Sequence, residues 1–148
     1  MKRRTSRENA FIAAFSATFE PATLEEIIAD SRESGEYAVD AYGEALLINY
    51  EAHKDDIDEL ITSKLKDWTL ARIPRTAVTI LRLAVAEMLY SEEDMDSIVI
   101  NEAVEIAKKY CQEEDYQFIN GVLGAISRSD TKGVSQTEPC GEQCEKAD

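Results

Sequence analysis

WTLARIPRTAVTILRLAVAEMLYSEEDMDSIVINEAVEIAKKY, residues 68–110, contains two strongly amphipathic segments joined by a short acidic link. In the first segment, apolar residues recur every three to four positions, which is the period of one face of an α-helix. Pro74 suits the first turn of this helix, because the amide hydrogen that proline lacks has no intrahelical partner there. The apolar positions are Ile73, Ala77, Ile80, Leu81, Ala84, Val85, Met88 and Leu89.

One acidic residue, Glu87, falls inside the apolar arc of this predicted helix. At about 100° per residue, its side chain projects near Ile80 and Leu83. No basic residue on the same helix is placed to pair with it, and burying an unpaired carboxylate is costly. We therefore expect Glu87 to find a partner on another helix, to reach water at the rim of the arc, or to contact another molecule.

Two capping boxes precede this stretch. The sequence Thr5-Ser6-Arg7-Glu8 predicts one box and a helix to about Thr18. The sequence Thr23-Leu24-Glu25-Glu26 predicts a second box and a short helix to about Ser34, with Gly35 as its end. Both motifs satisfy backbone amides that a helix start would otherwise leave unpaired.

Helical periodicity continues through the rest of the chain, and no convincing strand pattern interrupts it. A third helix is predicted from about Tyr37 to Tyr50, and a fourth begins at Asp55-Asp56, whose carboxylates favour the start of a helix. The second amphipathic segment places Val99, Ala103, Ile106, Ala107 and Tyr110 on one face, and a last helix is predicted from about Asp115 to Ser127. The predicted fold is all-α.

The composition indicates a single globular domain. The chain has 148 residues, of which 44% are hydrophobic and 31% charged. No apolar run approaches the roughly 20 residues that span a membrane, and the basic N-terminus lacks the apolar core of a secretory signal, so we expect a cytoplasmic protein with no membrane partner. We assign residues 1–128 to the helical domain and residues 129–148 to a disordered polar tail.

The residue types give no support for catalysis. The one histidine, His53, lies in a polar stretch, and the chain has no GxSxG, HExxH or glycine-rich phosphate loop. Cys111 falls on an apolar face and is interpreted as an inert packing residue. Cys140 and Cys144 lie in the tail with no second ligand pair, so neither a metal nor another cofactor is expected.

The charge distribution is strongly uneven. The net charge is −14, yet residues 1–7 contain cations and no acid. A basic end on an acidic body suggests an interaction arm, although a solvated N-terminus is the simpler alternative. The cations of this basic arm are Lys2, Arg3, Arg4 and Arg7.

Three sequence motifs, in order, resemble the NusB family of transcription antitermination factors. They are WTLARIPRTAVTILRLAVAEML, INEAVEIAKKY and FINGVL, and the opening RENAFIAAF is similar to the first helix of the family. The resemblance extends from about Arg4 to Ser127. It implies about seven helices in two packed bundles.

The resemblance also implies a function without catalysis. NusB proteins bind the boxA element of nascent ribosomal RNA transcripts together with the ribosomal protein NusE. The pair joins the antitermination complex on RNA polymerase. The domain also occurs fused to an RNA cytosine methyltransferase, for which this chain is too short.

The resemblance assigns roles to individual residues. It places RNA contacts on the basic arm and on the segment before FINGVL, and partner contacts on the first and fifth helices. Gln117 stands where the family often has a basic residue, and Phe15 where it often has a tyrosine. The implied RNA-binding residues are Lys2, Arg3, Arg4, Arg7, Gln117 and Phe118, and the implied partner-binding residues are Phe15, Arg82 and Glu87.

Two alternatives stay open, one for Phe118 and one for the function of the whole chain. Phe118 could stack on a base of single-stranded RNA, but packing in the core is the stronger interpretation. The high negative charge and Gln117 also favour a second hypothesis for the whole chain. In that hypothesis it is a helical protein-binding adaptor, or a homodimer, with little RNA affinity of its own.

Overall fold

The computed structural model describes residues 2–65, 69–91 and 95–129. Trp68, most of the acidic link and the tail with Cys140 and Cys144 lie outside the described residues. Within those ranges the chain forms seven α-helices and a short 3-10 turn, with no strand. The helices are α1 (Arg3–Ala17), α2 (Leu24–Ser34), α3 (Ala41–Ala52), α4 (Lys54–Ser63), α5 (Arg75–Tyr90), α6 (Asp96–Tyr110) and α7 (Glu113–Ser129), and the 3-10 turn is Leu70–Arg72.

The predicted all-α fold is confirmed, and α5 lies at its centre. Helices α1, α2 and α3 pack in one group, and α4 to α7 pack in a second. Helix α5 contacts both groups: α1 and α3 of the first, and α4, α6 and α7 of the second. Its apolar residues are almost fully buried, including Ala77, Leu81 and Val85 at 0% exposure, so its apolar arc forms the core of the molecule.

The second capping box is confirmed. The Thr23 side chain accepts a hydrogen bond from the Glu26 amide, and the Glu26 carboxylate accepts one from the Thr23 amide. Helix α2 then ends at Gly35, which has a φ of 80° in the left-handed region. Both ends of α2 are therefore determined by residues close in sequence, which is why the pattern predicts them correctly.

The first capping box is wrong. Helix α1 already begins at Arg3, and its N-cap, Lys2, makes no side-chain capping bond. Glu8 instead accepts hydrogen bonds from Lys109 and Tyr110 on α6. Tertiary contacts thus replace the predicted local bond, and Arg3 and Arg4 lie inside the first turn of α1.

The predicted start of α3 is also too early. Tyr37 has a φ of 53°, which is incompatible with a right-handed helix. Helix α3 begins at Ala41, because the Asp40 side chain accepts a hydrogen bond from the Gly43 amide and caps it. A Cβ on Gly43 would lie 3.3 Å from the Ser6 carbonyl oxygen, so a residue without a side chain allows α1 and α3 to approach closely.

Candidate nucleic-acid and partner interface

The basic arm divides between the surface and the interior. Lys2, Arg3 and Arg4 are exposed at the start of α1, whereas Arg7, one turn further on, is only 6% exposed. A helix repeats every 3.6 residues, so closely spaced cations need not share one environment. Arg7, which the family resemblance implies as an RNA-binding residue, is therefore buried, unlike the other three cations of the arm.

Arg7 pairs with Glu87. Its Nε donates to both carboxylate oxygens at 2.9 Å, and its Nη2 donates to Oε2 at 2.7 Å. Glu87 is 2% exposed, and the Tyr42 hydroxyl also donates to its Oε2. The acid in the apolar arc thus finds its partners on α1 and α3 of its own chain. Glu87 is buried and paired there, rather than exposed for the partner contact that the resemblance implies.

Burial around this ion pair also affects Tyr42. Desolvation of its hydroxyl, reinforced by the hydrogen bond to the Glu87 carboxylate, raises the pKa of Tyr42 to about 12. Tyr42 therefore stays protonated and donates to Glu87 throughout the physiological range. A small cavity of about 20 Å³, lined by Arg7, Glu87 and apolar residues of α1, α3, α5 and α6, lies beside the pair.

Arg4 is oriented by an acid of α6. Its Nε and Nη2 donate to the two oxygens of Glu102 at 2.8 Å and 2.9 Å. The Arg4 side chain nevertheless remains 63% exposed, while that of Glu102 is 13% exposed. Hydrogen bonds from Arg4 lower the pKa of Glu102 below its usual value. This arginine is thus both anchored and accessible.

Glu8 forms a second link between α1 and α6. It accepts from Lys109 Nζ at 2.6 Å and from the Tyr110 hydroxyl. The hydrogen bond from Lys109, followed by that from Tyr110, lowers the pKa of Glu8. Together with Arg4 and Glu102, these residues form what we call the α1–α6 seam.

The segment before FINGVL lies at the start of α7. Gln117 is exposed and donates to Glu113 at 3.3 Å, among three acids of the first turn. Phe118 is half-buried against the core, as its stronger interpretation requires, and also lines a groove of about 290 Å³ with Arg72 and Pro74. An aromatic edge is therefore accessible here, but within an acidic surface.

The three implied partner-binding residues differ in accessibility. Phe15 is half-buried in an aromatic row along α1, with ring centroids 5.7 Å from Phe11 and 4.8 Å from Phe19. Phe19 is 60% exposed and extends this row to the surface. Arg82 binds both carboxylate oxygens of Asp58 on α4, at 2.7 Å and 3.0 Å. Arg82 and Glu87 therefore have partners within the chain.

The contacts of His53 and Cys111 agree with a packing role for both side chains. The His53 ring stacks on Tyr90 with centroids 4.0 Å apart. Burial of the Cys111 thiol, with the nearby Asp115 carboxylate, raises its pKa to about 11, which disfavours the reactive thiolate. In the described ranges, no group of three or more potential ligands is arranged to hold a metal ion. No helix there is long and apolar enough to cross a membrane.

A helical fold with an exposed basic helix start is typical of a nucleic-acid-binding or protein-binding factor. A model of the NusB family matches residues 4–128. The chain therefore belongs to the NusB family of transcription antitermination factors, which are RNA-binding adaptors, and it is not an enzyme.

Relatives and solved structures agree with this assignment. The chain is 42% identical to the transcription antitermination protein NusB of Clostridium botulinum (strain Alaska E43 / Type E3) over 130 residues, covering 85% of this chain and 98% of that protein. It is 41% identical to the NusB protein of Bacillus cereus (strain B4264) over 131 residues, covering 85% of this chain and 97% of that protein.

Two solved structures share the fold. T. maritima NusB superposes with a TM-score of 0.78 at 29% identity, covering 87% of this chain and 92% of that one. A chain in the crystal structure of the antitermination factors NusB and NusE in complex with dsRNA superposes with a TM-score of 0.76 at 27% identity, covering 86% of this chain and 96% of that one.

Proposed function

We propose that this protein binds the boxA element of nascent ribosomal RNA together with the ribosomal protein NusE, and that the assembly joins the antitermination complex on RNA polymerase in the bacterial cytoplasm. The observation that carries the proposal is the exposed basic start of α1, Lys2, Arg3 and Arg4, on a protein with a net charge of −14. The solved complex of a similar chain with NusE and RNA supports both partners.

The basic arm supplies the phosphate contacts. Arg4 presents a guanidinium that Glu102 holds from one edge, and fixed cations on a helix start suit the phosphates of an RNA backbone. Phe118 is the candidate for stacking on an unpaired base, because it borders an open groove with Arg72. Arg7 acts from the interior, where its ion pair with Glu87 fixes α1 against α5.

The proposed contact with NusE is centred on Phe15. Its neighbour Phe19 continues the aromatic row to the surface and carries the Arg75 guanidinium 4.5 Å from its ring centroid. Aromatic and arginine side chains are enriched where proteins bind each other. Arg82 and Glu87 contribute indirectly, because their ion pairs hold the helix that supports this surface.

Changing Arg4 to Gln should weaken binding of boxA RNA, because a cation is lost while the amide can still donate to Glu102. We expect the slope of log affinity against log salt to become shallower by about 0.7, the value for one contact on single-stranded RNA. Lys54→Gln is the matched control, since Lys54 is exposed on α4, which packs against α3, α5 and α7. Filter binding or fluorescence anisotropy at several salt concentrations gives both quantities. Equal slopes for the Arg4 variant and the wild type would contradict the role of the arm.

One observation favours the second hypothesis, a protein-binding adaptor or homodimer with little RNA affinity of its own. Glu113, Glu114 and Asp115 form the first turn of α7 around Gln117, so this part of the surface repels phosphate. The isolated protein, NusE alone and an equimolar mixture of the two are titrated with boxA RNA and with a scrambled sequence. A mixture that binds boxA no better than NusE alone supports an adaptor, whereas selective binding by the isolated protein excludes it. Light scattering of the same samples decides between a monomer and a homodimer.

A further inference from the structure

Tyr42 connects the surface of the basic arm to the buried ion pair. The Arg3 guanidinium carbon lies 3.7 Å from the centroid of the Tyr42 ring. The hydroxyl at the other end of the same ring donates to Glu87 Oε2. One side chain at the start of α3 therefore contacts an exposed cation of α1 and a buried carboxylate of α5.

The fixed backbone of α3 determines where the ring lies, and the hydroxyl contact adds a second anchor. Glu87 is 2% exposed and is held by Arg7 through hydrogen bonds of 2.7 Å and 2.9 Å, so it is a fixed acceptor. A tyrosine ring anchored at its hydroxyl and at its backbone has little freedom to turn away. The α3 backbone is itself fixed at this point, because Asp40 caps the helix and also accepts from Ser6 of α1.

A guanidinium group that lies over this ring can still donate hydrogen bonds. The cation–π contact uses the flat face of the guanidinium, whereas its N–H groups point outward in the plane of the group. Stacking on Tyr42 and donation to a phosphate are therefore compatible for Arg3. The same stacking reduces the number of positions that this long exposed side chain would otherwise sample.

We propose that Tyr42 is a positioning residue for RNA binding, whose ring holds the Arg3 guanidinium in place for a backbone phosphate. The inference rests on the proposed RNA-binding function and deepens it. It assigns the ring and the hydroxyl different roles. The ring serves the RNA contact, and the hydroxyl serves the fold through Glu87.

Two substitutions separate these roles. Tyr42→Phe keeps the ring and removes the hydroxyl, whereas Tyr42→Leu removes both, so both variants lose the same hydrogen bond to Glu87. Both should unfold at a lower temperature than the wild type. Tyr42→Phe should bind RNA like the wild type, and Tyr42→Leu should bind about twofold to fivefold more weakly, the range for one exposed cation–π contact.

The test measures RNA affinity with NusE present, well below the unfolding temperature of every variant. In an Arg3→Gln background, Tyr42→Leu should cause no further loss, because the cation that it positions is absent. Equal affinities of the wild type and Tyr42→Leu would overturn the inference while leaving RNA binding established. Equally weak binding by Tyr42→Phe and Tyr42→Leu would also overturn it, because the hydroxyl would then be responsible. A wild type that binds no RNA would overturn the proposed function itself.

Discussion

At the scale of single residues, the pair Arg7–Glu87 explains why an acid is tolerated inside an apolar helix face. Burying either charge alone would be unfavourable, but together with the Tyr42 hydroxyl their hydrogen-bonding groups are satisfied. The pair joins the first helix to the central helix. It therefore specifies which face of α1 turns inward and which cations remain outside.

Replacing Glu87 by Gln should destabilise the fold strongly. The change leaves the buried Arg7 without a countercharge, and breaking a buried ion pair in this way costs about 3–5 kcal/mol. Urea denaturation at neutral pH measures the free energy of unfolding. The double variant Arg7→Met with Glu87→Leu should recover most of the loss, because it removes both charges. A loss below about 1 kcal/mol for Glu87→Gln would mean that the pair is not formed in solution.

The sequence predicts that Glu87 is anomalous but not which partner it has. Helical periodicity is a local property, so it places the acid in the apolar arc correctly. Arg7 lies 80 positions earlier, and nothing in the spacing of the two residues indicates that they meet. Nothing in the sequence singles out Tyr42 or Glu102 either, since one fits an inward helix position and the other a polar helix face.

At the scale of elements, the α1–α6 seam holds the basic arm to the rest of the molecule. It is formed by Arg4 with Glu102 and by Glu8 with Lys109 and Tyr110. These residues are about 100 positions apart in the chain. The predicted capping box failed here because Glu8 is used in the seam. The box at Thr23 is confirmed because Glu26 bonds locally to the Thr23 amide and not to another helix.

The seam should make stability sensitive to acid. The pKa of Glu8 and that of Glu102 are lowered by their partners in the folded state. The stability that these carboxylates contribute is therefore fully present above the pKa of the unfolded groups, which is near 4.5. This stability is lost as the pH falls from about 4.5 towards the lower pKa that the two groups have in the folded protein. Melting temperatures between pH 7 and pH 3 should therefore fall less for the double variant Glu8→Gln with Glu102→Gln than for the wild type. Glu33→Gln with Glu59→Gln is the control, and a decline in the seam variant as steep as in the control would contradict the assignment.

At the scale of the whole molecule, exposed positive charge is concentrated at the start of α1, whereas the chain as a whole is strongly acidic. The exposed cations of the arm lie at one end of α1, while the body supplies the large negative charge. Such a distribution orients a polyanion during approach and discourages nonspecific binding elsewhere.

The fold class and the central position of the apolar arc in α5 could be predicted, because they follow from periodicity. The relative positions of arm, seam and groove could not, since they depend on how the helices pack.

A chain that ends after Ser129 should keep the fold and the proposed function. The family match ends at residue 128, and the buried core residues that the structure describes end at Ile126. We therefore expect the same melting temperature and the same boxA affinity as for the full chain. Calorimetry and RNA titration of both proteins provide the comparison. A lower melting temperature would show that residues 130–148 belong to the domain.

The early start of α1 has a thermodynamic consequence for recognition. Arg3 and Arg4 already have helical backbone geometry, and their guanidinium groups are held by Tyr42 and Glu102 before any ligand arrives. A flexible arm would lose conformational entropy on binding, which weakens affinity. Here much of that ordering is completed when the protein folds, so folding itself preorganises the arm for its ligand.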